Sequence, residues 1–166
     1  MVVATTKFSI VLWTLEDKKS LKTIKAHRMP ILCMDYDPTG TLVVTGSADK
    51  NVRVWDIHKG YCTHSFSEHA DIVKTVYFHP DPKQLLVYST SEDNSICVCD
   101  LRKQALVSRF SEHVSLPTKV AFSSDSNLFI SSGRDKVSLF VYISHLCIYD
   151  NLPLPVNAVE SIVRMP

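Results

Sequence analysis

Three times along this chain a histidine is followed after 18 to 20 residues by a hydroxyl side chain and, four residues later, by an aspartate. The sets are His27, Thr45 and Asp49; His69, Ser89 and Asp93; and His113, Ser131 and Asp135. A nucleophilic hydroxyl, an imidazole base and a carboxylate that orients the base are the parts of a hydrolase triad. Repetition counts against that chemistry. Such an enzyme needs one site, with its nucleophile in an accessible cleft beside an oxyanion hole, and three equivalent trios are expected to be framework instead.

Other reactive side chains are less organised. His58, His64, His79 and His145 share no spacing that would gather them on a metal, and surface or turn positions are expected for them. Cys33, Cys62, Cys97, Cys99 and Cys147 are odd in number and lack the paired spacing of a zinc site, which suggests buried, reduced thiols in a reducing compartment. Gly40, Gly46, Gly60 and Gly133 all fall at turn signals, and no glycine-rich phosphate loop is present. Eighteen basic against seventeen acidic residues leave a formal charge of +1, so no strong field draws the whole chain to an anionic surface. No apolar run approaches the ~20 residues of a membrane helix, and the start lacks a signal-peptide pattern. The expectation is an intracellular protein with no cofactor, no small-molecule substrate and no membrane partner.

The trios are held in a longer repeat. Tyr36-Asp37-Pro38, Phe78-His79-Pro80 and Phe122-Ser123-Ser124 recur at offsets of 42 and 44 residues, and Ser67-Glu68-His69 returns as Ser111-Glu112-His113. Thr45-Gly46-Ser47-Ala48-Asp49 aligns with Ser89-Thr90-Ser91-Glu92-Asp93 and Ser131-Ser132-Gly133-Arg134-Asp135; six residues beyond each aspartate stand Trp55, Cys99 and Val141. Between these markers lie short alternating or apolar runs, as in Ile31 to Asp37, Thr41 to Thr45, Asn51 to Trp55 and Tyr61 to Phe66. Asp37-Pro38-Thr39-Gly40 and Ala48-Asp49-Lys50-Asn51 supply turns between them. Each repeat therefore reads as four strands, with helix nearly absent.

An opening His, an aromatic-x-Pro turn, a Ser/Thr-Gly-Ser-x-Asp turn and the closing Val54-Trp55-Asp56 resemble the WD repeat, whose unit of about 40 to 45 residues is one propeller blade. The resemblance implies an all-β fold, a partial WD-repeat β-propeller, with a buried hydrogen-bond chain in each blade. In the first complete blade that chain is His27, Thr45, Asp49 and Trp55. His69, Ser89 and Asp93 form the second beside Cys99, and His113, Ser131 and Asp135 the third beside Val141, so both are expected to be shorter. The blades are expected at 26–67, 68–111 and 112–153, after an incomplete one at about 1–25 in which Trp13 takes the closing position. Residues 154–166 would start a next strand or link to a following propeller.

Within the family, the chain is similar to the transducin beta-like, U3 small nucleolar RNA-associated group of the small-subunit processome. The residues that carry the likeness include Val52-Arg53-Val54-Trp55-Asp56-Ile57, Phe78-His79-Pro80-Asp81-Pro82 and Ser131-Ser132-Gly133-Arg134-Asp135-Lys136. The likeness implies a non-catalytic scaffold in the nucleolus, docking among other WD-repeat subunits with U3 small nucleolar RNA or pre-rRNA in the particle, and supporting pre-rRNA processing. The alternative is a peptide-binding adaptor or ubiquitin-ligase substrate receptor, with the cytoplasm as a second location. In propellers, partners often meet residues just before the turn aspartate and near the start of the first strand. Here these are Ala48, Glu92 and Arg134 with Leu32, Ile72, Lys74 and Thr118; charge favours Lys74, Glu92 and Arg134.

Overall fold

The structure, a computed structural model, describes residues 2–14, 19–143 and 147–152, with side chains described for 5–13 and 20–143. Every ladder is antiparallel, and strands follow one another in sequence order. β1 (Val2–Thr5), β2 (Ser9–Thr14) and β3 (Lys19–Lys25) make a three-stranded sheet. Three four-stranded sheets follow. They are β4 (Ile31–Tyr36), β5 (Leu42–Ser47), β6 (Val52–Asp56) and β7 (Tyr61–Phe66); β8 (Val73–Phe78), β9 (Leu86–Ser91), β10 (Ile96–Asp100) and β11 (Ala105–Phe110); and β12 (Pro117–Phe122), β13 (Leu128–Gly133), β14 (Ser138–Tyr142) and β15 (Cys147–Leu152).

Residue pattern sorts the strands within each sheet. The second and third strands, such as Leu42-Val43-Val44-Thr45-Gly46-Ser47 and Ile96-Cys97-Val98-Cys99-Asp100, are buried along almost their whole length, because a neighbouring sheet covers each face. The fourth is an edge. Ala105–Phe110 alternates exposed and part-buried residues with the period of two that one solvated face requires.

Packing is face to face. Ile10 and Leu12 meet Ala26, Val43, Trp55 and Ile57; Val44, Val52, Val54 and Phe66 meet Val73, Val76, Phe78 and Val87; Tyr88, Ile96, Val98 and Phe110 meet Val120, Phe129 and Val141. The β4–β7 and β8–β11 sheets thus each supply half of two cores. This is the all-β architecture of consecutive four-stranded blades that the repeat implies.

Local irregularities repeat with the sheets. The ladder between third and fourth strands shifts register at Val54/Trp55, Val98/Cys99 and Phe140/Val141, and such bulges sharpen the strand twist. The second-to-third turns put Lys50, Asn94 and Lys136 at φ of 69°, 64° and 62°, each one residue after the turn aspartate.

Some strand limits differ from the sequence reading. β5 runs on to Ser47, because Thr45 and Gly46 pair with Arg53 and Val52 and are ladder residues before the turn begins. Asp37 leaves β4, and its buried carboxylate instead accepts the amides of Thr41 and Leu42 at 2.8 and 2.6 Å, closing the first turn. Trp13 lies on β2 opposite Val2 and Ser20, at the same bulge as Trp55, yet is 40% exposed against 5% for Trp55. Residues 154–166, His145 and the side chain of Cys147 lie outside the described residues.

Candidate functional site

Asp49 is set by its own turn. Its amide donates to Ser47 Oγ at 3.1 Å and its Oδ1 accepts the Asn51 amide at 3.1 Å, which leaves Oδ2 2.9 Å from His27 Nδ1. On the other side of the ring, Nε2 lies 2.8 Å from Thr45 Oγ1, and the Trp55 indole N–H donates to that same hydroxyl at 3.0 Å. Thr45 is opposite Arg53 in the β5–β6 ladder, two residues before Trp55, so register brings indole and hydroxyl together.

The carboxylate selects the tautomer with its proton on Nδ1. Nε2 then accepts from the Thr45 hydroxyl, which accepts from the indole. The order Trp55, Thr45, His27, Asp49 leaves no buried polar atom of the four side chains unmet. Burial, the strongest influence, holds His27 below its usual 6.5 against the opposing pull of Asp49. Burial alone would raise Asp49, but the His27 hydrogen bond and charge, with the Asn51 and Arg28 amides, outweigh it and hold the carboxyl below 3.8. Both directions agree on a neutral imidazole and an ionised carboxylate at neutral pH.

The second sheet repeats the core of this arrangement, with His69 Nδ1 3.2 Å from Asp93 Oδ2 and Nε2 2.8 Å from Ser89 Oγ. No indole is present, yet the network is not shorter. Ser95 Oγ donates to Asp93 Oδ1 at 2.6 Å, and Arg109 donates to Asp93 Oδ2 at 3.1 Å and to the Glu68 carbonyl at 3.1 Å. Desolvation opposes it, but Ser95, the Ala70 amide and His69 draw the Asp93 carboxyl down to about 2. Cys99, where Trp55 stands in the first, is buried in the core between the sheets.

In the third sheet His113 Nδ1 is 2.9 Å from Asp135 Oδ2 and Nε2 is 3.0 Å from Ser131 Oγ. Here Val141 packs in the core at the position of the tryptophan.

Two arginines escaped the sequence reading. Arg53 Nη1 donates at 2.6 Å to the carbonyl of Ala26, just before His27, and Arg109 serves the equivalent carbonyl before His69. Arg53 comes from a third strand, whereas Arg109 comes from a fourth. Cys97 holds the register position of Arg53, and Arg109 stands opposite Cys97 in the next ladder. The signal was an arginine lost from one strand and regained on its neighbour, which alignment along the repeat does not show.

The other histidines divide. His58 is exposed, as expected for a turn. His79 holds the expected turn position directly after β8 but is buried: its Nδ1 accepts the Asp81 amide at 3.1 Å, so Nε2–H donates to Ser126 O at 3.1 Å in the next sheet, and its ring packs on Tyr88 and Phe122. His64 is half-buried and bonds from Nε2 to Leu101 O, also across a sheet boundary. Among the cysteines with described side chains, Cys97 and Cys99 are buried and Cys33 half-buried, but Cys62 is exposed because it lies on the solvated fourth strand. Among the described residues no group of three metal-ligating side chains comes together.

The residues proposed to meet partners lie at one end of the sheets. Amides of Ala48, Glu92 and Arg134 donate to the carbonyls of Pro30, Ile72 and Leu116, each at 3.0 Å, tying each turn to the start of the first strand. Lys74 and Glu92 face one another at 2.7 Å and offset each other's charge. Arg134 and Leu32 are exposed, and Ile72 and Thr118 half-buried.

These sheets, turns and networks define a propeller-blade protein of the WD type, and the chain belongs to that family: it matches "WD domain, G-beta repeat" over 18–56, 60–100 and 104–137. Among individual proteins it is similar to transducin beta-like protein 3 of Homo sapiens, 38% identical over 167 aligned residues, and of Bos taurus, 35% identical over the same length, in both cases across 100% of this chain. It is also similar to eukaryotic translation initiation factor 3 subunit I of Pyricularia oryzae, 39% identical over 72 residues, or 43% of this chain and 21% of that protein. The chain spans about a fifth of the length of the transducin beta-like relatives, 20% and 21% respectively.

Proposed function

We propose that this protein is a non-catalytic WD-repeat scaffold subunit of the U3 small nucleolar ribonucleoprotein in the small-subunit processome, working in the nucleolus to support pre-rRNA processing. The observation that carries the reading is the similarity to transducin beta-like protein 3 along the whole chain, where the initiation-factor subunit matches 43% of it. The geometry agrees with a scaffold. Thr45, Ser89 and Ser131, the only hydroxyls bonded to Nε2 of a repeat histidine among the described residues, are 0%, 2% and 0% exposed. A substrate carbonyl cannot approach them in this fold. What such sheets offer instead is rigid surface to neighbouring WD-repeat subunits, with Arg134, Ile72 and the Lys74–Glu92 pair at one rim.

Affinity purification of the full-length protein tests this. It should recover U3 small nucleolar RNA with other processome subunits, and depletion should make unprocessed small-subunit precursor accumulate. A normal precursor profile with the protein confined to the cytoplasm would overturn the assignment in favour of a peptide-binding adaptor or ubiquitin-ligase receptor.

A further inference from the structure

The end of the β8–β11 sheet opposite its aspartate turn holds a cavity of about 310 Å³ between the β8–β9 loop and the β10–β11 turn. Lys83 lines it from the loop, and Arg102 and Lys103 from the turn, with Gln84 beside them. Asp100 is the one carboxylate in the lining, so three cations against one anion leave a surplus of two positive charges, in a chain whose formal charge is +1 overall. Asp100 is already engaged: its Oδ1 accepts the amides of Arg102 and Lys103 at 2.7 and 3.3 Å.

Arg102 Nη2 donates to the Lys83 carbonyl at 2.5 Å, which fixes the guanidinium and ties loop to turn. The preceding sheet shows how such a turn is otherwise neutralised. There Lys59, three residues after Asp56 as Lys103 is after Asp100, pairs with that carboxylate at 3.5 Å. Among the described residues, neither Lys83 nor Lys103 is held in an ion pair. Leu85, Leu86 and Val107 give the cavity an apolar wall.

We infer that this cavity binds the phosphate of a phosphorylated serine or threonine on a partner protein. A phosphomonoester carries about 1.5 to 2 negative charges at neutral pH, matching the surplus, and presents three acceptor oxygens. A fixed guanidinium suits two of them, and the lysines act as point charges on the third. The cations converge on one cavity in a single sheet; a polynucleotide is better served by a basic track with stacking aromatics along it. The apolar wall receives the peptide beside the phosphoresidue. This site is independent of which particle the protein serves.

Fluorescence anisotropy of the full-length protein with a labelled Ala-Gly-phosphoserine-Gly-Ala peptide tests it. The phosphopeptide should bind at least tenfold tighter than its unphosphorylated twin, and Arg102→Glu or Lys103→Glu should each remove at least tenfold. Lys136→Glu, exposed at an aspartate turn at the opposite end of the sheets, should leave binding unchanged. Lys103→Glu is decisive if Arg102→Glu disturbs the fold, since the Lys103 side chain holds no bond there, and an unshifted urea midpoint verifies its integrity. Equal binding of the two peptides, or no loss in Lys103→Glu, would overturn the proposal. Displacement of the phosphopeptide by a single-stranded oligouridylate that binds more tightly at the same residues would overturn it in favour of RNA.

Discussion

Thr45 accepts from an indole and serves an imidazole through one hydroxyl, so the first network fails at several points when either end is cut. Trp55→Ala removes a buried ring packed against Ile10, Leu12 and Val43, and should cost on the order of 3 to 5 kcal/mol. Asp49→Ala leaves the His27 proton and two backbone amides without an acceptor, at a cost of ~1 to 3 kcal/mol. Denaturant unfolding of the full-length protein measures both; unchanged stability with lost activity would make them functional rather than framework residues. The same groups set the pH response. His27 and His69 are held below 6.5, so the unfolded chain takes up their protons first, and stability should be full above pH 6.5 and decline as pH falls below it. Asp49, Asp93 and Asp135 are held below 3.8, and their contribution should persist above that pH and vanish as pH falls, for Asp93 towards about 2. Urea midpoints at pH 7.5, 5.5 and 3.0 should fall at each step, and equal midpoints at the first two would contradict the neutral histidines.

Turns set the reach of each element. Gly60 and Gln104 hold the same place in successive third-to-fourth turns, at φ of 72° and 53°. Glycine adopts this left-handed backbone freely, whereas a side chain there costs roughly 1 to 2 kcal/mol, part of which glycine's greater unfolded freedom returns. Gln104→Gly should therefore raise stability by up to about 1 kcal/mol. Gly60→Ala should lower it through the backbone, since the added Cβ would meet only the flexible end of Lys22. A urea midpoint for Gln104→Gly at or below wild type would show that the glutamine side chain contributes a compensating contact.

Sheet spacing is decided at the scale of the whole molecule. A Cβ at Gly46 would lie 2.6 Å from Cys33 Sγ and from Val73 Cγ1 in the next sheet, too close for either to yield without moving the sheets apart. Gly46→Ala should cost about 1 to 3 kcal/mol, as overpacking does. Gly46 has no left-handed backbone, so close contact is the sole source of this loss. If thermal unfolding of Gly46→Ala matches wild type, close sheet contact is not what Gly46 serves. The matched family segments are staggered by one strand against the sheets: 60–100 starts with β7 of one sheet and ends with β10 of the next. Each segment therefore laces two sheets together, and the β4–β7 and β8–β11 sheets each draw strands from two segments.

Periodicity and register were enough to read the strands and the three His–Ser/Thr–Asp groups, because a repeat puts the same local turn chemistry at the same offset and the Asp turn is closed by its own neighbours, Ser47 and Asn51 for Asp49. Contacts that cross between strands or sheets were not legible. Arg109 replaces Arg53 from a different strand, His79 is buried by Phe122 and Ser126 some forty residues away, and Lys74 is neutralised by Glu92 across the β8–β9 ladder. The cavity at Lys83 and Arg102 likewise joins a loop and a turn that no shared motif links. The division is physical. A turn's geometry is set by residues within a few positions of one another, whereas burial and charge pairing depend on which surfaces the sheets bring face to face, and that is settled only when they pack.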